Sequence, residues 1–197
     1  MLILGHVGIT LGVVRSGEAA AGELLFDGRE TGSKSLDYRF LAFGALLPDI
    51  IDKPVGLLIL PERLGTTQSI GHTLIFSLVF LIIGCLAYRH NGKLPLLSLA
   101  IGCIGHLILD GMWSRPDTLL WPTLGSQFSF GDHRGLLGYL PELWPHAGTY
   151  PWIALSEVIG GWIIGYWVLK LRRERRLRYF VKHGVLAESR VLPLREL

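Results

Sequence analysis

The stretch LPLLSLAIGCIGHLILDGMW, residues 94–113, decides the predicted fold because it is a long apolar run that carries two ionisable side chains. A helix needs about 20 mostly apolar residues to cross the hydrocarbon core of a bilayer, and this run has that length. His106 and Asp110 are four residues apart, which places both on one face of a helix. The stretch therefore predicts a membrane helix that carries part of a functional site.

The composition of the whole chain agrees with a membrane protein. Of its 197 residues, 50% are hydrophobic and 18% are charged, and the mean hydropathy is +0.42. A water-soluble domain would carry about 25% charged residues. Further apolar segments lie at residues 1–14, 40–60, 71–88 and 152–171, although prolines and charges interrupt 40–60. We predict an all-α, polytopic membrane helical bundle of four to five apolar helices.

The charges predict the domain organisation and the orientation of the bundle. Residues 1–171 should form one membrane-embedded helical domain and residues 172–197 a basic cytoplasmic tail, with residues 15–39 as a loop that holds at most one short helix. Seven Lys and Arg residues fall within 170–182, which favours a cytoplasmic C-terminus and contact with anionic lipid rather than nucleic acid. Cys85 and Cys103 lie inside apolar segments and predict packed thiols, not a disulfide.

Ionisable residues within the apolar segments indicate a metal site. Each costs at least about 2.5–3.5 kcal/mol in a membrane helix, so a compensating partner is expected. At a rise of about 1.5 Å per residue, His106, Asp52 and Glu157 all fall in the outer half of the membrane. Imidazole and carboxylate groups are ligands for zinc, manganese or iron. The residues concerned are His6, Asp49, Asp52, His72, His106, Asp110 and Glu157.

Each of these residues also has a purely structural interpretation. A lone intramembrane histidine is more often held by hydrogen bonds than by a metal. Asp49 follows Pro48 and could cap a helix, Asp52 could pair with Lys53 or a backbone group, and Glu157 could be a satisfied polar group between helices. The remaining histidines are expected not to bind metal: His133 and His146 as surface residues of an outer loop, and His90 and His183 among cytoplasmic basic residues.

Four motifs in order resemble the YdjM-like family of membrane-bound metal-dependent hydrolases. They are GHVGIT (5–10), LLPDIID (46–52), GHTLIFS (71–77) and GHLILDGMWSRPDTLLWPTLG (105–125). The resemblance extends over about residues 1–125. That family is itself distantly similar to zinc phospholipase C and P1 nuclease, all-helical enzymes that hydrolyse phosphate esters.

The resemblance implies a ligand set and a reaction. His6, Asp49, His72, His106 and Asp110 would bind one or two divalent ions, with zinc expected and Asp110 able to bridge. Pro116 and Ile153 stand where the soluble enzymes carry further histidines, which argues against a third ion. We expect Asp52 or Glu157 to act as general base.

We therefore expect hydrolysis of a lipid or lipid-linked phosphoester at the outer face of a bacterial or archaeal inner membrane. The expected partners are membrane lipid and a small-molecule or lipid-linked substrate, and no nucleic acid. Two alternatives remain open, a metal-binding membrane adaptor and a transporter. A transporter usually has polar groups that continue to the other side of the membrane, and here the inner halves of the apolar segments carry almost none.

Overall fold

The computed structural model describes residues 2–25, 35–60, 66–128 and 151–186, and it describes the backbone alone for residues 21–25. His133, His146 and residues 187–197 of the predicted tail lie outside this part of the chain. Throughout the described residues the regular elements are helical, as predicted. The α-helices are α1 (Ile3–Leu25), α2 (Tyr38–Gly44), α3 (Leu47–Pro54), α4 (Leu74–Asn91), α5 (Pro95–Leu109), α6 (Pro116–Leu119), α7 (Pro151–Arg173) and α8 (Leu177–His183). A π-helical turn and two 3₁₀ turns join them at Val55–Ile59, Ile70–His72 and Met112–Ser114.

Two of the described helices, α4 and α7, are long and apolar enough to cross a membrane, so the prediction of four to five such helices was wrong. Helix α5 has only 15 residues, because the chain turns at Asp110 and Gly111, where φ is +62°. Residues 40–60 form three short pieces instead of one span, since the chain breaks between α2 and α3 and changes to a π-helical turn after Pro54.

The apolar side chains of α4 and α7 point mostly away from the protein. In each helix, only 11% of the most apolar 18-residue stretch is buried. Trp162 and Leu169 on α7 are 74% and 67% exposed. A core helix of a soluble protein would bury such side chains, so these surfaces are suited to contact lipid.

Helix α1 is longer than predicted and replaces part of the expected loop. It runs for 23 residues to Leu25 because residues 18–25 are mostly Ala, Glu and Leu, which are strong helix formers. An ion pair of 3.7 Å between Arg15 and Glu18, three residues apart, supports the same turn. Glu18 also accepts a hydrogen bond from the hydroxyl of Tyr38, which ties α1 to the start of α2.

Glycines allow the helices to approach closely. A Cβ atom at Gly8 of α1 would lie 2.1 Å from the carbonyl oxygen of Gly160 of α7, so neither position has room for a side chain. Gly44 of α2 and Gly102 of α5 make equally close contacts, with a Cβ at 2.1 Å from Leu99 O and at 2.3 Å from Leu41 O. Helix α1 is parallel to α7, because Gly5, Gly8 and Gly12 face residues 156–157, 160 and 163 in that order. Helix α2 is parallel to α5, because Asp37 contacts Ser98 and Ala45 contacts His106.

The parallel packing gathers the predicted functional residues at one end of the bundle. The first turn of α1 meets the first turns of α7, where Glu157 accepts backbone hydrogen bonds from Leu2, Leu4 and Gly5 at 2.9 Å each. At the opposite end, the backbone N–H of Asp37 donates to Ser98 near the start of α5. The chain therefore positions the end of α5, with His106, beside the start of α1, with His6.

Candidate metal centre

Four of the predicted ligands converge on one point. Asp49 lies in the first turn of α3, His72 ends the 3₁₀ turn before α4, His106 lies in the last turn of α5, and Asp110 follows that helix. One ligand atom from each lies within 4.8 Å of all the others. This confirms the prediction that these four residues could hold a metal ion together.

Five of the six distances between the four atoms lie close to those of a tetrahedral metal site. The Nε2 atoms of His72 and His106 are 3.1 Å apart. Asp110 Oδ2 lies 3.6 and 3.7 Å from these nitrogens, and Asp49 Oδ1 lies 3.6 and 3.9 Å from them. Metal bonds of about 2.0–2.2 Å in a tetrahedron separate the ligand atoms by about 3.3–3.6 Å. An ion therefore fits between the four with only small movements.

The hydrogen bonds of the two histidines determine which ring nitrogens face the centre as acceptors. His106 Nδ1 is 2.7 Å from the carbonyl oxygen of Ala45, which can only accept, so Nδ1 carries the proton. His72 Nδ1 is 2.8 Å from Asp52 Oδ2 and donates to that carboxylate. In the neutral rings each Nε2 atom then presents a lone pair to the other. Two lone pairs at 3.1 Å repel unless a proton or a metal ion lies between them.

Asp52 lies on the side of His72 away from the centre and accepts hydrogen bonds from the backbone and from that histidine. Its carboxylate accepts backbone hydrogen bonds from Ser69, Gly71 and His72 at 2.6, 2.9 and 3.2 Å, besides the bond from His72 Nδ1. Such a carboxylate–histidine pair fixes the ring orientation of a metal ligand and makes it more basic. Asp52 therefore pairs with backbone groups, one of its two structural alternatives. It does not pair with Lys53, which forms an ion pair with Asp49.

His6 lies beside the four-residue cluster. Its fully buried ring stacks on that of His106 with the centroids 4.1 Å apart, and its Nε2 lies 3.1 Å from Asp110 Oδ1. That contact is close but not aligned as a hydrogen bond, and Nδ1 has no hydrogen-bond partner within the described chain. Asp110 therefore turns one oxygen toward His6 and the other toward His72 and His106, the arrangement expected of a carboxylate that can bridge two ions.

Glu157 takes part in helix capping. Its carboxylate accepts the three backbone hydrogen bonds at the start of α1, where the partial positive charge of the helix favours an anion. A role as general base stays a prediction for Glu157 and for Asp52. The hydrogen bonds that both carboxylates already accept weigh against it.

Sequence reasoning missed three residues that contact the carboxylates of the centre directly or through one another. Lys53 Nζ lies 2.6 Å from Asp49 Oδ2, and the spacing of four residues within α3 is a signal that could have indicated this pair. Gln68 Nε2 donates to Asp110 Oδ2 at 3.0 Å, and Arg115 donates to Gln68 Oε1. No local pattern indicates the contacts of Gln68, because 42 and 47 residues separate it from its two partners.

A cavity of about 260 Å³ lies beside the centre. It is lined by Asp49, Lys53, Thr67, Gln68, Asp110, Ser114 and Arg115. Two of the four converging residues, Asp49 and Asp110, therefore border a space large enough for a small ligand, whereas His72 and His106 are fully buried.

The family model of the YdjM inner membrane proteins matches residues 1–186. The match includes every predicted metal ligand and extends beyond the motifs to helices α7 and α8. Comparisons with curated proteins and with solved structures give no match.

Proposed function

We propose, from the premise that this chain belongs to the YdjM inner membrane protein family, that it is a membrane-bound metal-dependent hydrolase. Its proposed substrate is a lipid or lipid-linked phosphoester. One observation carries the proposal. Two imidazole nitrogens and two carboxylate oxygens converge at the wall of a cavity, with ligand–ligand distances that suit a divalent ion.

The residues present fit one or two ions. Asp49, His72, His106 and Asp110 would hold the first ion, and zinc suits a set of two imidazoles and two carboxylates. His6 and Asp110 Oδ1 would supply two of the ligands of a second ion on the other side of Asp110. A bound divalent metal supplies Lewis acidity and an activated water, which is the chemistry that hydrolysis of a phosphoester needs.

The surrounding residues give the site its orientation. Asp52 and the Ala45 carbonyl hold the rings of His72 and His106 with Nε2 toward the centre. Lys53 donates to Asp49 Oδ2, the oxygen turned away from the two histidines, whereas Gln68 donates to Asp110 Oδ2, the oxygen that faces them. Because both carboxylates border the cavity, a bound ion would be reachable from that side if one carboxylate moved or if the ion accepted a fifth ligand.

The membrane provides the argument for the substrate class. The apolar faces of α4 and α7 are exposed, so the site is held at a bilayer where lipids are the abundant phosphoesters. We place the site at the outer face because the basic cluster of residues 170–182 favours a cytoplasmic C-terminus.

A metal-binding membrane adaptor is the second candidate function. Four protein ligands would fill the coordination positions of a tetrahedral ion, as in structural metal sites, whereas catalytic sites keep a position for water or substrate. The two candidates differ in a measurable way, because an adaptor would bind the metal as tightly and hydrolyse no phosphoester.

Elemental analysis of the purified full-length protein in detergent tests the proposal, together with hydrolysis of bis-p-nitrophenyl phosphate and of phospholipids. The wild type should contain bound zinc and be active, and His106→Ala should lose both properties. His6→Ala should keep the first ion and lose any second one. His90→Ala, at the exposed end of α4, is the matched control. Metal without hydrolysis indicates the adaptor, and full metal content in His106→Ala refutes the site.

A further inference from the structure

The cavity beside the metal centre carries two cationic side chains that the ligand set does not include. Lys53 and Arg115 line it together with the hydroxyl-bearing residues Thr67 and Ser114. Lys53 Nζ lies 2.6 Å from Asp49 Oδ2. The side chain of Arg115 is exposed and donates to the amide oxygen of Gln68. A guanidinium has five N–H donors, so further donors remain for a ligand in the cavity.

The charges of the lining favour an anion once the centre is loaded. Its two positive residues, Lys53 and Arg115, balance its two negative ones, Asp49 and Asp110. A divalent ion bound at the two carboxylates would leave the cavity with an excess of two positive charges. A phosphate group carries up to two negative charges and offers oxygens that a guanidinium binds in pairs.

The size of the cavity and its neighbours suggest which part of a substrate enters. A volume of about 260 Å³ is smaller than the about 300–1,000 Å³ of pockets that enclose a drug-sized molecule. It suits a phosphate group with a small substituent. Trp113, the residue before the lining residue Ser114, is 68% exposed and offers apolar surface in the same segment for the remainder of a substrate.

Gln68 connects the cationic side chain to the metal centre. Its amide nitrogen donates to Asp110 Oδ2, and its amide oxygen accepts from Arg115. The two bonds use opposite ends of one amide, so they fix its orientation and place the guanidinium beside a metal-binding carboxylate.

We propose that this cavity is a phosphate-binding subsite in which Arg115 is the principal contact, Lys53 a second cation and Gln68 the residue that positions Arg115. The subsite deepens the proposed hydrolase function and rests on it for the role of the bound phosphate group. The substrate class that follows is a phosphate ester whose phosphoryl oxygens face both the metal ligands and Arg115.

Phosphate binding is measured by calorimetry with inorganic phosphate as the probe and the zinc-loaded full chain in phosphatidylcholine nanodiscs. Arg115→Gln should weaken phosphate affinity by about 10-fold or more, since a charge-assisted pair of hydrogen bonds is lost. Its zinc content should be unchanged, because Arg115 contacts the centre only through Gln68. Arg172→Gln, an exposed arginine in the last turn of α7, should bind phosphate like the wild type.

Arg115→Lys keeps the charge without the paired donors and should weaken binding by several-fold, and it also serves if Arg115→Gln cannot be purified. Nanodiscs that contain phosphatidic acid show whether the bound phosphate group comes from a lipid or from a soluble ester. If phosphatidic acid competes with inorganic phosphate, the subsite takes a lipid headgroup. If it does not compete, the subsite takes a soluble ester.

The outcomes separate this inference from the hydrolase proposal. Arg115-dependent phosphate binding in a protein that hydrolyses no ester supports the subsite and refutes the hydrolase. Hydrolysis with phosphate affinity unchanged in Arg115→Gln and Arg115→Lys overturns the subsite alone. No phosphate binding by the zinc-loaded wild type also overturns it.

Discussion

The substitution Asp52→Asn tests whether Asp52 positions a ligand or acts as a base. The carboxylate accepts four hydrogen bonds from Ser69, Gly71 and His72, including the one from His72 Nδ1. An asparagine has a single accepting oxygen, so its NH₂ group must face at least one of these N–H donors. The substitution preserves shape while removing both the charge and part of the hydrogen bonding.

The structure sets the expected magnitude of this change. Asp52 is 1% exposed, so a donor left without a partner there costs about 1–3 kcal/mol of folding free energy. Loss of the carboxylate behind a metal-binding histidine typically weakens metal affinity by about 10–100-fold. We therefore expect Asp52→Asn to bind zinc about 10–100-fold more weakly and to unfold at a lower temperature.

Competition with a fluorescent zinc chelator measures the affinity, and circular dichroism in detergent measures the unfolding. Asp117→Asn, at an exposed aspartate in the first turn of α6, is the control for loss of one negative charge. Wild-type zinc affinity in a folded Asp52→Asn protein would refute the positioning role. If hydrolysis then fell while zinc stayed bound, Asp52 would be the general base that the sequence suggested.

Two further substitutions, Gly8→Ala and Glu157→Gln, test how helix α1 is packed and capped beside the site. Gly8→Ala should destabilise the bundle by about 1–3 kcal/mol through overpacking, because its Cβ would lie 2.1 Å from Gly160 O; Gly165→Ala, where a Cβ meets nothing within 4 Å, should not. Equal unfolding temperatures for the two variants would contradict the close packing of α1 on α7. Glu157→Gln should lower stability by about 1 kcal/mol through a weaker helix cap and leave kcat for hydrolysis within a few-fold of wild type, as measured on the same phosphoester. A fall in kcat by orders of magnitude at full zinc content would instead assign Glu157 to the chemistry.

The sequence indicated the residues that converge, because ionisable side chains are unusual in apolar segments. An ionisable residue in an apolar segment is costly, so His72, His106 and Asp110 could be selected without a structure. The spacing of His106 and Asp110 also predicted a shared helix face, because helical periodicity is a local property. The convergence of these residues with Asp49 is confirmed.

The same local reasoning overestimated the number of spans. Hydropathy does not reveal that the chain breaks between α2 and α3 or turns at Gly111, so apolar segments of suitable length were counted as complete helices. It also underestimated α1, whose polar second half remains helical through strong helix formers and the contact of Glu18 with Tyr38.

The tertiary structure alone decided what each polar residue does. Asp52 and Glu157 looked alike in sequence, as carboxylates in apolar segments, yet one holds His72 and the other caps α1 across 152–155 residues. The link from Arg115 through Gln68 to Asp110 likewise joins segments that are distant in the chain. Burial cost depends on a residue and its immediate segment, so sequence can reveal it. A hydrogen-bond partner depends on how the helices pack, and that is fixed only when the glycine contacts bring them together.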